Sequence, residues 1–202
     1  MVDIYTQITE PNNLPFDTVW LPCLKTETVK HLKAWKQPII ITHIEAIKHY
    51  EYDYTELLDQ YVYCIGNRTS DRLKEMNFTK VEMQGLFAKD IQIDSRPLTP
   101  CTWLHGNKYS RDFSKYVGVT AIQTYTSSLN EESLKTIYNF KNVFLSKIRN
   151  IYVYSNQVLK ALEEIHLPEV ILHYTESCKP NSNLWAKTKS FYPKDPAVRF
   201  EQ

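Results

Sequence analysis

Gly66-Asn67-Arg68-Thr69-Ser70 is the stretch best suited to chemistry. The apolar run Tyr61 to Ile65 leads into Gly66. Asn67, Arg68 and Thr69 read as a short polar turn, and a helix follows from Ser70 with Leu73 and Met76 on one face. A strand that passes through glycine into a helix N-terminus aims backbone N–H groups at one spot, and such a spot suits an anion such as a carboxylate. The Thr69 and Ser70 hydroxyls can assist. The plainer alternative is an ordinary strand–helix turn with its cap. A second group is His105 to Arg111, HGNKYSR, which places His105, Lys108 and Arg111 near one strand end beside Gly106. Arginine's planar fork fits carboxylates; a solvated basic surface is the competing reading. Tyr125 follows a strand, and its hydroxyl could donate a hydrogen bond or steer a leaving group. The chain has 14 tyrosines, so packing competes with that role. Thr42-His43 and Ser155 close two further strands in the same way. His173 also stands at a strand end, where a lone histidine is more often structural than catalytic.

Several common chemistries lack their residues. There is no Ser/His/Asp order, no HExxH, no P-loop and no GxGxxG. Cys23, Cys64, Cys101 and Cys178 form no CxxC pair and no zinc spacing, so they read as buried or idle thiols. No metal and no cofactor is expected. What remains is a site that works by positioning and electrostatics.

The elements that must hold these residues follow a strand–helix rhythm. Strands are expected over Asp3–Thr9, Phe16–Leu21, Ile39–Thr42, Tyr61–Ile65, Lys80–Met83, Cys101–Leu104, Val119–Thr124, Ile151–Tyr154 and Val170–Tyr174. Helices are expected over Thr26–Trp35 and His43–Tyr50, as a connector over Tyr54–Tyr61, and from Ser70. Further ones are expected over Phe87–Ile93, Ser110–Tyr116, Leu129–Phe144 and Asn156–Ile165, with a partly helical Pro180–Lys187. Ser95–Pro100 reads as a loop and Phe191–Gln202 as an irregular tail. Alternation of this kind implies parallel sheet covered by helices, with ligands beyond the carboxyl ends of the strands. The run Ile39 to His43 is echoed by Ile151 to Ser155, which hints at two similar halves.

The totals narrow the class. The chain has 202 residues, 43% of them hydrophobic, which is enough to bury a core. It carries 24 basic and 23 acidic residues for a net charge of +1, unlike a dedicated nucleic-acid binder. No apolar run approaches the ~20 residues of a membrane span. The expectation is a cytoplasmic, monomeric protein with no nucleic-acid or membrane partner.

An ordered set of segments resembles the uroporphyrinogen-III synthase family. It comprises Trp20-Leu21-Pro22-Cys23-Leu24, Ile41 to Ile47, Ile65 to Leu73, Leu104-His105-Gly106 through Arg111, and Thr124-Tyr125-Thr126. These match the family's L-P-x-L, F-T-S-x-x-A-V, G-x-x-T-A-x-x-L, L-x-G with a following arginine, and V-Y-x-T. The resemblance implies two similar parallel-sheet α/β domains joined by a two-strand linker, with an active cleft between them. Residues 1–25 plus 126–202 would form a discontinuous first domain and 26–125 a continuous second one. The implied substrate is hydroxymethylbilane, a linear tetrapyrrole with many carboxylates. It is closed to uroporphyrinogen III with inversion of its last ring, without metal or organic cofactor. By the same resemblance Tyr125 would assist hydroxyl departure and Thr69 would bind substrate. A transient contact with the preceding pathway enzyme is also implied.

His43 stands where the family has serine, and Asn77 replaces a glycine. Thr9-Glu10-Pro11 stands for T-R-P, and His173 to Ser177 for the final G-x-x-T-A. These departures motivate a second reading, a catalytically degenerate member that binds or assembles in tetrapyrrole synthesis. A third reading is an unrelated flavodoxin-like protein with one continuous sheet.

Overall fold

A computed structural model describes residues 2–8, 10–11, 14–93, 100–144, 148–165, 170–175, 178 and 187–191. In chain order the first strands are β1 (Val2–Tyr5), β2 (Thr18–Trp20), β3 (Leu24–Thr28) and β4 (Ile39–Ile41). Then come α1 (Glu45–Lys48), β5 (Tyr61–Ile65), α2 (Asn67–Glu75), β6 (Lys80–Gly85), β7 (Cys101–Gly106) and β8 (Val119–Leu129). The chain continues with α3 (Glu131–Phe144), β9 (Ile148–Val153), α4 (Asn156–Glu164), β10 (Ile171–Thr175) and β11 (Lys187–Phe191). The chain divides into two compact units, Met1–Lys25 with Ser128–Gln202, and Thr26–Ser127.

In the first unit the sheet runs β11-β10-β9-β1-β2, with every neighbouring pair parallel. Ile4, Ile151, Val153 and Leu172 pack against Leu134 and Ile137 of α3 and Val158, Leu159 and Leu162 of α4. Register aligns Tyr5 with Tyr152 and Tyr152 with His173. Their rings stack at 4.5 and 4.7 Å. His173 Nε2 is also hydrogen-bonded to Asn150 Oδ1 at 2.9 Å, so this histidine serves the sheet.

In the second unit the order is β3-β8-β7-β4-β5-β6. The pairs β8-β7, β7-β4, β4-β5 and β5-β6 are parallel. Strand alternation sorts the apolar residues onto two faces. Ile39, Ile41, Val62, Cys64 and Leu104 meet Ala46 and Ile47 of α1 and Leu73 of α2. Ile40, Tyr63 and Trp103 meet Ile91 and Phe113 from irregular segments. Burial on both faces is why these strands read as continuous apolar runs rather than alternating ones. Two separate sheets replace the single continuous sheet of the flavodoxin-like reading.

Several expectations fail for local reasons. The segment Thr26–Trp35 is not a helix. Thr26 to Thr28 end β3, Val29 N donates to Thr124 O at 3.0 Å, and the rest is irregular. Leu32 and Trp35, which a helix would bury, are 77% and 70% exposed. Ser110–Tyr116 forms turns instead of a helix, because the Asp112 carboxylate accepts from both Ser114 N and Ser114 Oγ at 3.0 and 2.6 Å. Phe87–Ile93 contains only a 3-10 turn over Ala88–Asp90. Asn67 to Thr69 are already the first turn of α2. Tyr138 of α3 is 48% exposed, although helical spacing turns it inward. Strand β11 falls where the sequence reads only as a helical stretch and a tail. The expected Ser95–Pro100 loop, most of Pro180–Lys187 and most of Phe191–Gln202 lie outside the described residues, as do Thr9, Glu176 and Ser177.

Candidate functional site

Strands β4, β5, β6, β7 and β8 are parallel, so their carboxyl ends share one edge of the second sheet. Thr42-His43, Gly66 and Gly106 sit along it. Tyr125 does not follow a strand, because sheet pairing carries β8 on to Leu129, but it lies level with Gly106. Gly66 has φ 73 and ψ 139, a conformation open to glycine and strained for other residues. It opens α2 with no side-chain cap, and a Cβ placed there would meet nothing within 4 Å. The first N–H groups of α2, including that of half-buried Thr69, therefore start the helix without intrahelical acceptors. Thr42 is half-buried beside exposed His43, whose Nδ1 accepts from Glu45 N at 3.3 Å.

Gly106 pairs with Tyr125 at a register shift between β7 and β8. The phenol ring lies directly on the glycine. A Cβ at position 106 would stand 2.4 Å from Tyr125 Cζ and 2.6 Å from Cε2. Tyr125 is 6% exposed, and burial, followed by the Glu45 charge, pushes its phenol up to about 12. The phenol thus keeps its proton, and can donate a hydrogen bond, throughout the physiological range.

His49, at the end of α1, stacks on the Tyr125 ring with centroids 5.6 Å apart. Its Nδ1 is hydrogen-bonded to Thr28 Oγ1 at 2.7 Å and its Nε2 to Thr26 Oγ1 at 2.9 Å. Glu45 Oε2 lies 3.5 Å from both Nε2 and Thr26 Oγ1. Lys48 Nζ donates to Glu45 Oε1 at 2.8 Å. Burial alone would raise the Glu45 carboxyl. The Lys48 hydrogen bond and the charges of Lys48, His43 and His49 outweigh it and hold the carboxyl below its ordinary value.

Of the other expected site residues, Ser70, His105, Arg111 and Ser155 use their polar groups inside the protein. Ser70 is buried, and its hydroxyl is hydrogen-bonded to the Cys64 thiol. His105 and Arg111 belong to the layer on the opposite face from Tyr125. His105 stacks on Trp103 at 4.0 Å, and its Nδ1 bonds Gly106 O at 2.8 Å. A carbonyl only accepts, so Nδ1 carries the proton. Burial, outweighing that bond and Asp112, lowers the pKa and keeps the ring neutral. Lys108 is exposed. Ser155 belongs to the first unit, where its Oγ accepts from Gln157 N at 3.2 Å and caps α4.

Arg111 is a clamp rather than a carboxylate partner. Its Nη1 donates to the carbonyls of Ala88, Lys89 and Ile91 at 3.2, 3.2 and 2.7 Å. Nη2 donates to the Tyr116 hydroxyl, and the guanidinium lies 5.0 Å from the Phe113 ring centre. Arg111→Ala is expected to cost about 2–4 kcal/mol, since charge-assisted bonds are lost and carbonyls are left unpaired. Arg111→Lys should recover little of it, because a single ammonium on a shorter stem cannot bond the carbonyls and the Tyr116 hydroxyl at once, nor stack on Phe113. Thermal melts measure this; a melting temperature within about 1 °C of wild type would refute the clamp.

Sequence reasoning missed Thr26, Thr28, Glu45 and His49. Glu45 and His49 have the i,i+4 spacing of one helix face, and Thr26 and Thr28 the i,i+2 spacing of one strand face. The second signal is masked by the helical spacing of apolar residues in that segment. Among the described residues no three His, Cys, Asp or Glu side chains come together to hold a metal ion, and no helix is long and apolar enough to cross a membrane.

No family model matches the chain, and no curated protein matches it. Among solved structures, a mutant uroporphyrinogen III synthase from the extremely thermophilic bacterium Thermus thermophilus is similar at 12% identity and a TM-score of 0.47. The match covers 92% of this chain and 94% of that one.

Proposed function

We propose that this protein acts in tetrapyrrole synthesis, closing the linear tetrapyrrole hydroxymethylbilane to uroporphyrinogen III with inversion of the last ring. The observation that supports this reading is Tyr125, a buried phenol kept protonated level with the carboxyl end of β7, which the resemblance matches to the family's V-Y-x-T tyrosine. The reaction needs a hydroxyl to leave the first ring as water. A neutral phenol donates the hydrogen bond that eases that departure. The ring nitrogen's electrons expel the hydroxyl and its N–H proton completes the water, leaving the azafulvene. The last pyrrole attacks through its substituted α-carbon to give a spiro intermediate. The old bridge bond to that carbon breaks, and the bridge rejoins at the free α-carbon, which gives up its proton. The remaining task is to hold a folded polycarboxylate, for which the uncapped start of α2 at Gly66 to Thr69 is suited, with Thr42, His43 and Lys108 on nearby segments.

Purified protein given hydroxymethylbilane should yield the inverted isomer faster than buffer does. Tyr125→Phe should slow turnover by about 10–100-fold while the circular dichroism spectrum is unchanged. Conversion no faster than buffer, with only the uninverted isomer, would refute the enzyme reading. A second reading has its own support: Ser70, His105 and Arg111 are engaged internally, which leaves fewer groups to hold carboxylates. It describes a binding or assembly protein of the same pathway. Calorimetric binding of a uroporphyrinogen analogue without turnover would select it.

A further inference from the structure

We propose that His49 is a positioning residue for Tyr125, a flat platform gripped at both nitrogens by two threonines of one strand face. This rests on the reading of Tyr125 as the hydrogen-bond donor to the departing hydroxyl, and it adds four residues that no motif of the resemblance assigns a role.

The hydrogen bonds fix one arrangement. Thr26 donates to Glu45, so its oxygen accepts from His49 Nε2–H. Nδ1 is hydrogen-bonded to the Thr28 hydroxyl. Each ring nitrogen has a threonine partner, and the Cβ tether supplies the third point that defines a plane. The imidazole cannot tilt without breaking a bond. Glu45 anchors this arrangement from α1, held in turn by Lys48. Thr124 ties the same helix to β8, donating to Ala46 O at 2.8 Å.

Tyr125 lies against this plane with only 24° between the rings. Its Cζ end rests on Gly106, where the missing Cβ leaves no more room than the ring needs. The phenol ring is therefore confined by His49 and by Gly106. A tyrosine that only fills a core needs no such definition. A donor that must meet a departing hydroxyl along one line does, since small displacements in a reacting geometry cost large factors in rate. A packing role for His49 would make its loss a matter of stability alone. The positioning role makes it a matter of ring motion and turnover.

The test follows the Tyr125 ring by NMR in protein labelled at tyrosine, with Tyr125→Phe assigning the signal. In wild type the two edges of the ring should give separate resonances, the mark of slow flipping. His49→Ala should merge them, and Thr26→Val/Thr28→Val should do so partly. Turnover should fall about tenfold in His49→Ala with KM within about twofold, the split expected for lost orientation. His49→Phe, which keeps a flat ring without the grip, should fall between. If His49→Ala does not fold, the double threonine variant carries the same measurement. Merged resonances together with inactive wild-type protein would uphold the positioning and overturn the synthase reading. An unchanged Tyr125 ring in the variants would overturn the positioning, whatever the turnover.

Discussion

Gly106→Ala is expected to destabilise the second unit by roughly 1–3 kcal/mol, the range for overpacking a filled core. The added methyl would stand 2.4, 2.6 and 2.9 Å from three atoms of the Tyr125 ring, far inside contact distance. The backbone of β7 is held on both sides by β4 and β8, so the ring must yield. Tyr125 is confined in turn by His49, and a shift of the ring breaks that stacking. For a unit of this size the loss should appear as a melting temperature lower by about 4–20 °C. The cause is separable by a double-mutant cycle. In a Tyr125→Ala background the alanine at 106 should cost far less, because its obstacle is gone. Equal cost in both backgrounds would locate the strain elsewhere. Gly66→Ala provides the contrast. Space is open there, but φ is 73, so its cost is backbone strain and should be indifferent to Tyr125.

The difference between these two glycines also marks what the sequence makes legible. Gly66 is readable because its neighbours, an apolar run before and a helix after, define the turn. Gly106 is readable as a strand end, but the ring that needs its bare Cα belongs to Tyr125, on another strand, and arrives only through sheet pairing. The same holds for the fold. Ile39 to Ile41, Tyr61 to Ile65 and Cys101 to Leu104 announce strands because both faces of the sheet are buried. Thr26 to Trp35 misleads because Val29, Leu32 and Trp35 have helical spacing. Yet two of those side chains are exposed, and the backbone from Thr26 to Val29 is taken up in sheet pairing. Pairing energy from a distant strand overrides a local pattern, and no window of sequence contains it. Asp112 acts in the opposite sense, a local side chain diverting Ser110 to Tyr116 from the helix their pattern suggests.

At the candidate site, residue type is legible in the sequence and orientation is not. Charge and position after β7 make Arg111 and His105 look like carboxylate partners. Alternation along β7 sends His105 to the Trp103 face, and Arg111 finds three carbonyls on that same side. Ser70 follows the Gly66 turn, but one residue of helical rotation beyond Thr69 points its hydroxyl inward to Cys64. Tyr125 is buried, and its ring is held between His49 and Gly106. The residues that define its environment, Thr26, Thr28, Glu45 and His49, come from two segments that no motif joins.

Stability is expected to be steady through neutral pH and to fall steeply above about pH 9, the ordinary thiol pKa. Burial pushes the Cys64 and Cys101 thiols up from 9.0 to about 11, and the Cys23 thiol to about 12. It does the same to the Tyr125 phenol, from 10.0 to about 12. Each group holds its proton more tightly folded than unfolded. Between the two values the unfolded chain releases a proton that the folded chain keeps, so stability declines as pH rises through that window and is fully present below it. A two-pH-unit rise corresponds to roughly 2–3 kcal/mol per group. Even half of that from Cys64, Cys101 and Tyr125 together is a large part of the roughly 5–15 kcal/mol that holds a domain folded. Urea midpoints measured under reducing conditions from neutral pH to about pH 10.5 would follow the decline. Cys101→Ala removes one contributor from the interior, where the thiol has no role but filling space. It should lower stability at neutral pH and flatten the alkaline slope, so the two midpoint curves converge as pH rises. A midpoint that stays constant to about pH 10.5 would mean that these groups ionise as readily folded as unfolded, and that the interior around Tyr125 is wetter than its packing on Gly106 and His49 requires.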